Sequence, residues 1–179
     1  MSRSGYTDDF EIYDPLVIGR YRQAVNCAIK CKRGQAMLHE LLAALDAMPE
    51  QRLAAESLVT ADGEYCTLGV LGKARGIDMS VLDPDDAVQV AATFGIAESM
   101  AREIVYENDD SRNDYEWRDI EICGPVRPNY PDWGSHVKTM RVEFDDAPAR
   151  RWKYMRKWVV RHLTQNSEHF PSASKESAP

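Results

Sequence analysis

The sequence contains no apolar run long enough to span a bilayer and no recognisable secretory leader, so a cytoplasmic protein is the expectation. Cysteine is scarce, with four residues among 179, and cysteines at this density in a cytoplasmic chain are expected to be reduced. Basic residues are outnumbered, 22 against 29 acidic ones. The net charge of −7 disfavours a protein that coats nucleic acid with its whole surface. A phosphate-binding glycine loop is also missing, because the glycines of residues 69–76 lack its spacing.

Helical periodicity is what the sequence does contain. The pair Asp14-Pro15 is typical of a helix start, and apolar residues then recur at spacings of three and four until Gly34, which is predicted to end the first helix. A second apolar face runs through residues 35–48 and stops before Pro49. Because the connection is short, the two helices are predicted to form an antiparallel hairpin.

The middle of the chain is predicted to turn around one central helix. Residues 53–59 have the composition of a short strand, and the Asp-Gly pair that follows favours a tight turn. A helix that is apolar on most sides then begins at Cys66 and is predicted to end at Gly76. Gly69 and Gly72 weaken this helix, so both are predicted to face a closely crossing backbone.

Three further helices are predicted downstream. Asp83 is expected to cap a helix that ends at Gly95, and a second helix follows directly from residue 96. The last helix opens near Pro148, buries Trp152 and places Trp158 at the margin of its apolar face.

The predicted fold is a mainly α-helical single domain over residues 14–163, with about six helices and a minor β element. The β element comprises the strand at 53–59 and a two-stranded ribbon that the alternation within 115–144 allows. The predicted parts are a flexible arm (1–13), a helical hairpin (14–48), a core with the central helix (49–110), a long loop or ribbon (111–144), a C-terminal helix (145–163) and a disordered tail (164–179).

Two groups of residues could carry chemistry. Cys66 lies at a helix start, where the helix dipole favours a thiolate, but the interpretation we favour is a small thiol that is buried for packing. Cys27 and Cys31 share one helix face and could join Cys66 and Cys123 around zinc, but their spacing is not that of a zinc knuckle.

An acidic cluster follows the fifth helix. It consists of Glu107, Asp109, Asp110 and Asp114, with the amide oxygen of Asn108 beside it. Oxygen ligands suit Mg²⁺ or Ca²⁺, but the spacing is not that of an EF-hand loop. Such a run is more often a solvated turn whose Asn or Asp caps a neighbouring helix, and this is the interpretation we favour. Neither a metal nor a cofactor is predicted for this chain.

The C-terminal helix is strongly basic. It carries six positive residues and no acid between Asp146 and Glu168, and tryptophans alternate with the charges. Arg151, Arg156 and Lys157 are therefore candidates for binding phosphates or an acidic protein. The alternative is that this basic face balances acidic residues of the same molecule.

Three short motifs together resemble a broad set of small uncharacterised proteins encoded by phages and bacteria. The motifs are Cys66-Thr-Leu-Gly69, the pair Asn108-Asp109, and the amphipathic C-terminal helix. The resemblance spans roughly residues 49–163 and implies an origin in a mobile element, with no catalytic residues transferred. Physically, Asn108 or Asp109 is predicted to accept hydrogen bonds from the free amides at the start of the Cys66 helix.

The leading functional hypothesis is a non-enzymatic phage accessory protein that binds a macromolecule, such as a host protein or a defence component. Exposed aromatic residues in the long loop motivate it, namely Trp117, Tyr130 and Trp133. One alternative is nucleic-acid binding through residues 150–161. Another is an enzyme that uses Cys66 or the acidic cluster of residues 107–114. No membrane partner is expected, and the oligomeric state is left open.

Overall fold

The computed structural model describes Ser4 and residues 15–121 and 137–167. These residues form a mainly helical fold with a small antiparallel sheet, as the sequence predicts. In chain order the elements are α1 (Pro15–Lys30), α2 (Lys32–Asp46), α3 (Thr67–Arg75), α4 (Ala87–Phe94), α5 (Glu98–Asp109), β1 (Tyr115–Glu121), β2 (Val137–Glu143) and α6 (Ala147–Ser167).

The chain forms two compact units. The first contains Met1–Ser111 and Pro148–Pro179, and therefore all the helices apart from the first residue of α6. The second contains Arg112–Ala147 and is built on the two strands. Folding of residues 14–163 as a single domain stays a prediction.

Apolar residues from all six helices, α1 to α6, form the core of the helical unit. α2 and α3 contribute adjacent faces to this core. Within each face the core residues are three and four positions apart, which places them on one side of the helix. Trp158, predicted at the margin of α6, is instead only 3% exposed, whereas Trp152 is half-buried and donates its indole N–H to the Leu45 carbonyl. The most completely buried large side chains are Met37, Leu38, Leu41, Leu45, Leu53, Leu68, Leu71, Phe94, Met100, Ile104 and Met155.

The connection between α1 and α2 differs from the prediction that Gly34 ends the first helix. α1 ends at Lys30, and the Cys31 thiol caps α2 by accepting the Gly34 N–H at 3.3 Å. Gly34 lies in the first turn of α2, where a Cβ would overlap the carbonyl oxygen of Ala28. Gly34 therefore allows the end of α1 and the start of α2 to pack closely, and it does not end a helix.

The predicted strand at residues 53–59 is wrong. This segment makes one isolated bridge, between Val59 and Tyr65, and Glu56 has a φ of 61°, which interrupts any extended run. The turn that follows is confirmed, because Gly63 has a φ of 80°. Irregular chain of this kind needs individual partners for its backbone groups, and residues of α5, α6 and the segment before α3 supply them.

The two glycines of α3 have different roles. A Cβ at Gly69 would overlap the Leu58 carbonyl oxygen, so the predicted close backbone crossing is confirmed there. Gly72 instead faces the Met79 side chain. Gly76 ends α3 in the left-handed conformation, with φ 67°, as predicted.

Two other helix boundaries differ from the predicted ones. The cap of α4 is Asp86 rather than Asp83, and its carboxylate accepts the N–H groups of Val88 and Gln89, both at 3.0 Å. α6 continues to Ser167, past the predicted end at residue 163.

Most of the predicted arm, residues 1–13, lies outside the described residues, as do positions 122–136 and the tail from residue 168. Ser4 is the exception. It is buried, its hydroxyl donates to Asp110 Oδ2 at 2.9 Å, and its carbonyl accepts from Arg102 Nη1 at 3.1 Å. In the part of the chain that the structure describes, no helix is both long and apolar enough to cross a membrane.

Candidate functional site

The two strands form an antiparallel ribbon. The register pairs Tyr115 with Glu143 and Glu121 with Val137, so the pairs between them alternate between two faces of the ribbon. A two-stranded ribbon is marginally stable in water unless other groups cover one of its faces. What each face of this ribbon exposes therefore bears on both its stability and its capacity to bind a partner.

One face of the ribbon carries an aromatic group with a cation. Tyr115 and Trp117 meet edge to face, with ring centroids 5.9 Å apart, and the Arg141 guanidinium lies 3.9 Å from the Tyr115 ring centroid. Arg141 is also the register partner of Trp117. These contacts orient the indole, yet 65% of Trp117 is exposed. A large aromatic side chain held in a fixed position and left open to solvent is typical of a binding surface.

The opposite face of the ribbon exposes aliphatic side chains. Ile120 is 39% exposed and Met140 is 43% exposed, and the register places them on the same face at diagonal positions. Arg118 and Lys138 lie on this same face, two residues from Ile120 and Met140, so no regular apolar pattern marks this face in the sequence. Trp117 lies on the other face. We call that other face, which carries Tyr115, Trp117 and Arg141, the ribbon surface.

The structure separates the other residues predicted to bind a partner. Tyr130 and Trp133 lie outside the described residues. Arg156 donates to both carboxylate oxygens of Asp46, at 2.6 and 3.1 Å, so this cation is already paired. Lys157 is exposed on α6.

Arg151 differs most from its predicted role, because it is only 8% exposed. Its Nε donates to the Asn108 carbonyl at 3.0 Å and its Nη1 donates to the Leu53 carbonyl at 2.7 Å. The Leu53 N–H in turn donates to the Pro148 carbonyl at 3.0 Å. Arg151 therefore connects α6, the end of α5 and the irregular segment that follows α2. It is an architectural residue.

Asn108 is the centre of the same hydrogen-bond network. Its Oδ1 accepts from the backbone N–H of Thr67 at 3.2 Å and from the Thr67 hydroxyl at 2.6 Å. Its Nδ2 donates to the Ala54 carbonyl at 3.0 Å and to Asp109 Oδ1. The hydrogen bond predicted between Asn108 and the start of the Cys66 helix is thus present, whereas Asp109 accepts instead from the Glu56 N–H at 3.2 Å.

Cys66 is the N-cap of α3, and its sulfur accepts the Gly69 N–H at 3.5 Å. The residue is 2% exposed, so a substrate cannot reach the thiol in this conformation. A catalytic cysteine needs access as well as a base. The geometry supports capping rather than nucleophilic catalysis.

The predicted acidic cluster does not follow the fifth helix, because Glu107 and Asp109 lie in the last turn of α5, and its members bond to separate partners. The Tyr154 hydroxyl donates to the Glu107 carboxylate, and the Ser4 hydroxyl donates to Asp110. Burial of the Tyr154 phenol and its hydrogen bond to Glu107 raise the pKa of Tyr154 above its usual value. Across the described ranges, no group of three or more His, Cys, Asp or Glu side chains is arranged to hold a metal ion.

One exposed ion pair of α6, between Arg156 and Asp46, shifts the pKa of the acidic partner. The hydrogen bonds from Arg156 hold the pKa of Asp46 below its usual value, because they favour the ionised carboxylate. Both side chains are more than a third exposed, so solvent screens this pair. Arg156 balances an acid of the same molecule, which is the alternative that the sequence left open for the basic helix.

Comparison with known proteins gives no significant match, whether to protein-family models, to curated proteins or to solved structures.

Proposed function

We propose that this chain is a non-enzymatic accessory protein of a phage or mobile element, and that its ribbon surface binds another protein. The mobile-element origin rests on the resemblance carried by the Cys-x-Leu-Gly and Asn-Asp motifs. The observation that supports binding is the 65% exposure of Trp117, an indole that Tyr115 and Arg141 hold in place on one face of a two-stranded ribbon. Burying this side chain against a partner removes apolar area from water and covers one face of the ribbon, which stabilises it.

The charge of the ribbon unit favours a protein over a nucleic acid as its partner. Between positions 112 and 147 the sequence has eight acidic and five basic residues. Nucleic-acid binding depends on neutralising phosphates with cations, and an excess of carboxylates opposes it. A protein can contribute either an apolar patch to one face or a strand to an open edge.

The experiment that tests this function is an affinity capture from bacterial host lysate with the tagged full chain, before and after nuclease treatment. Trp117→Ser removes the main exposed aromatic group. Val81→Ser is the matched control, since Val81 is 71% exposed and lies in the helical unit. We expect one protein to be retained stoichiometrically by the wild type and the control after nuclease, and lost with Trp117→Ser.

For a purified partner, truncation of a central aromatic residue is expected to cost about 2 kcal/mol or more of binding free energy. Capture that is equal for Trp117→Ser and the wild type would contradict a role for the ribbon surface. Absence of any stoichiometric protein would contradict the proposed function itself.

A second candidate function is nucleic-acid binding by α6. Arg150, Lys153, Lys157 and Arg161 are exposed and recur at spacings of three and four, so they lie along one face of the helix. Reversing the two lysines to glutamate is expected to abolish retention of DNA or RNA, and binding by the wild type is expected to fall steeply with salt. Retention that survives the double reversal would exclude this face as the site.

A further inference from the structure

A cavity of about 520 Å³ opens between α2 and α3 in the helical unit. α2 contributes Ala44 near its C-terminal end, and Ala47 and Met48 follow that helix directly. α3 contributes Val70, Lys73 and Ala74, which are three and four residues apart and lie on one face of the helix. Sites for small organic ligands commonly have volumes of about 300–1,000 Å³ and mostly apolar walls with few polar groups. The cavity has the size and lining of such a site.

The charged groups at the rim indicate which ligands fit. The Lys73 ammonium lies 4.6 Å from the centroid of the Tyr65 ring, which holds this cation at the edge of the apolar walls. Arg52 and Glu64, also in the lining, are paired at 3.6 Å, and both side chains are about half exposed. Glu50 is the fourth charged residue of the lining, and it is exposed to solvent. A cation fixed beside an apolar cavity is complementary to an acidic group attached to an apolar body.

We propose that this cavity binds a small amphiphile with an apolar body and one acidic group. The body occupies the space between Ala44, Val70 and Ala74, and the acid pairs with Lys73. The site lies wholly within the helical unit and uses none of the ribbon surface. It is therefore separate from the proposed protein-binding function.

Two probes of similar shape test the proposal on the full chain. 8-Anilinonaphthalene-1-sulfonate carries an acidic group on an aromatic body, and N-phenyl-1-naphthylamine is its uncharged counterpart. Both are followed by fluorescence titration. We expect both to bind, and we expect Lys73→Gln to weaken the sulfonate by about two- to fivefold, as for an exposed ion pair, and the neutral probe not at all.

A second variant tests the position of the body. Ala74→Leu fills the cavity from the exposed side of α3 and is expected to weaken both probes at least tenfold. Ala92→Leu is the matched control, because Ala92 is an exposed helical alanine of α4 that does not line the cavity. Near-ultraviolet circular dichroism of each variant confirms that its tertiary structure is retained.

Three results would overturn the proposal. The first is absence of binding by either probe. The second is equal binding by Ala74→Leu and Ala92→Leu, which would place the apolar body elsewhere. The third is an equal effect of Lys73→Gln on both probes, which would remove the acidic group from the proposal.

Discussion

Replacing Asn108 with alanine is expected to destabilise the helical unit strongly. The side chain is 6% exposed and makes four hydrogen bonds to three residues, of which two partners are buried backbone groups. Alanine leaves the N–H of Thr67 without this acceptor and the carbonyl of Ala54 without this donor. Thr67 is fully buried and Ala54 is 5% exposed, so water does not readily replace the lost partners.

The magnitude follows from those two backbone groups. Each buried polar group left without a partner costs about 1–3 kcal/mol, so the loss in free energy of unfolding is about 2–6 kcal/mol. For a chain of this size 1 kcal/mol corresponds to about 2–4 °C in Tm, so Tm should fall by about 4–24 °C. A domain is typically stable by about 5–15 kcal/mol, which means that the upper part of this range approaches complete unfolding.

Urea denaturation followed by circular dichroism at 222 nm measures the change directly. Asn26→Ala is the control, because Asn26 is exposed on α1 and the same substitution there should change stability by about 0.5 kcal/mol or less. If Asn108→Ala shifts the denaturation midpoint no more than Asn26→Ala does, the network is not what holds α3 to the end of α5.

Two further substitutions test other contacts. Gly69→Ala places a methyl group against the Leu58 carbonyl and is expected to lower the free energy of unfolding by about 1–3 kcal/mol. Gly19→Ala in α1 is the control, because its methyl group meets nothing within 4 Å and should raise the free energy of unfolding by about 0.5–1 kcal/mol. Equal urea midpoints for the two variants would contradict the close crossing of the Leu58 backbone. Because the pKa of Tyr154 is raised on folding, its stabilising effect is complete below the unfolded pKa of about 10 and is lost as pH rises through the folded value. The tyrosinate difference spectrum between wild type and Tyr154→Phe should therefore show a midpoint above pH 10, and a midpoint at or below it would contradict the hydrogen bond to the carboxylate.

Local signals in the sequence were sufficient for most of the helical fold. Gly76 and Gly95 end their helices in the left-handed conformation, as expected for residues that follow an apolar face. The partner of the α3 start was also predictable, since the orphan amides of a helix require acceptors and Asn108 follows another helix. The helix ends needed only the neighbouring residues, whereas the bond between Asn108 and Thr67, 41 positions apart, was predicted from the shared motifs together with a general rule.

Long-range contacts with the backbone were not predictable in this way. Arg151 donates to a carbonyl 98 positions away, and from sequence it cannot be told apart from the exposed basic residues of α6. The irregular segment at residues 53–59 was mistaken for a strand because the positive φ of Glu56 leaves no mark in its composition. The acceptors of Arg151 are main-chain carbonyl groups, which every residue has, so the sequence does not mark them.

The position of the motif residues bears on how function is distributed in this chain. Cys66, Gly69, Asn108 and Asp109 all act within the helical unit, as a cap, a close approach and hydrogen-bond partners of the main chain. A resemblance carried by these residues is therefore one of architecture, and it transfers a way of holding α3 rather than an activity. Binding specificity then depends on residues that the motifs leave free to vary. The two binding sites proposed for this chain, Trp117 with its neighbours on the ribbon and the cavity beside Lys73, both lie outside the motifs. Because the two sites use different units, substitutions that abolish one are expected to leave the other unchanged.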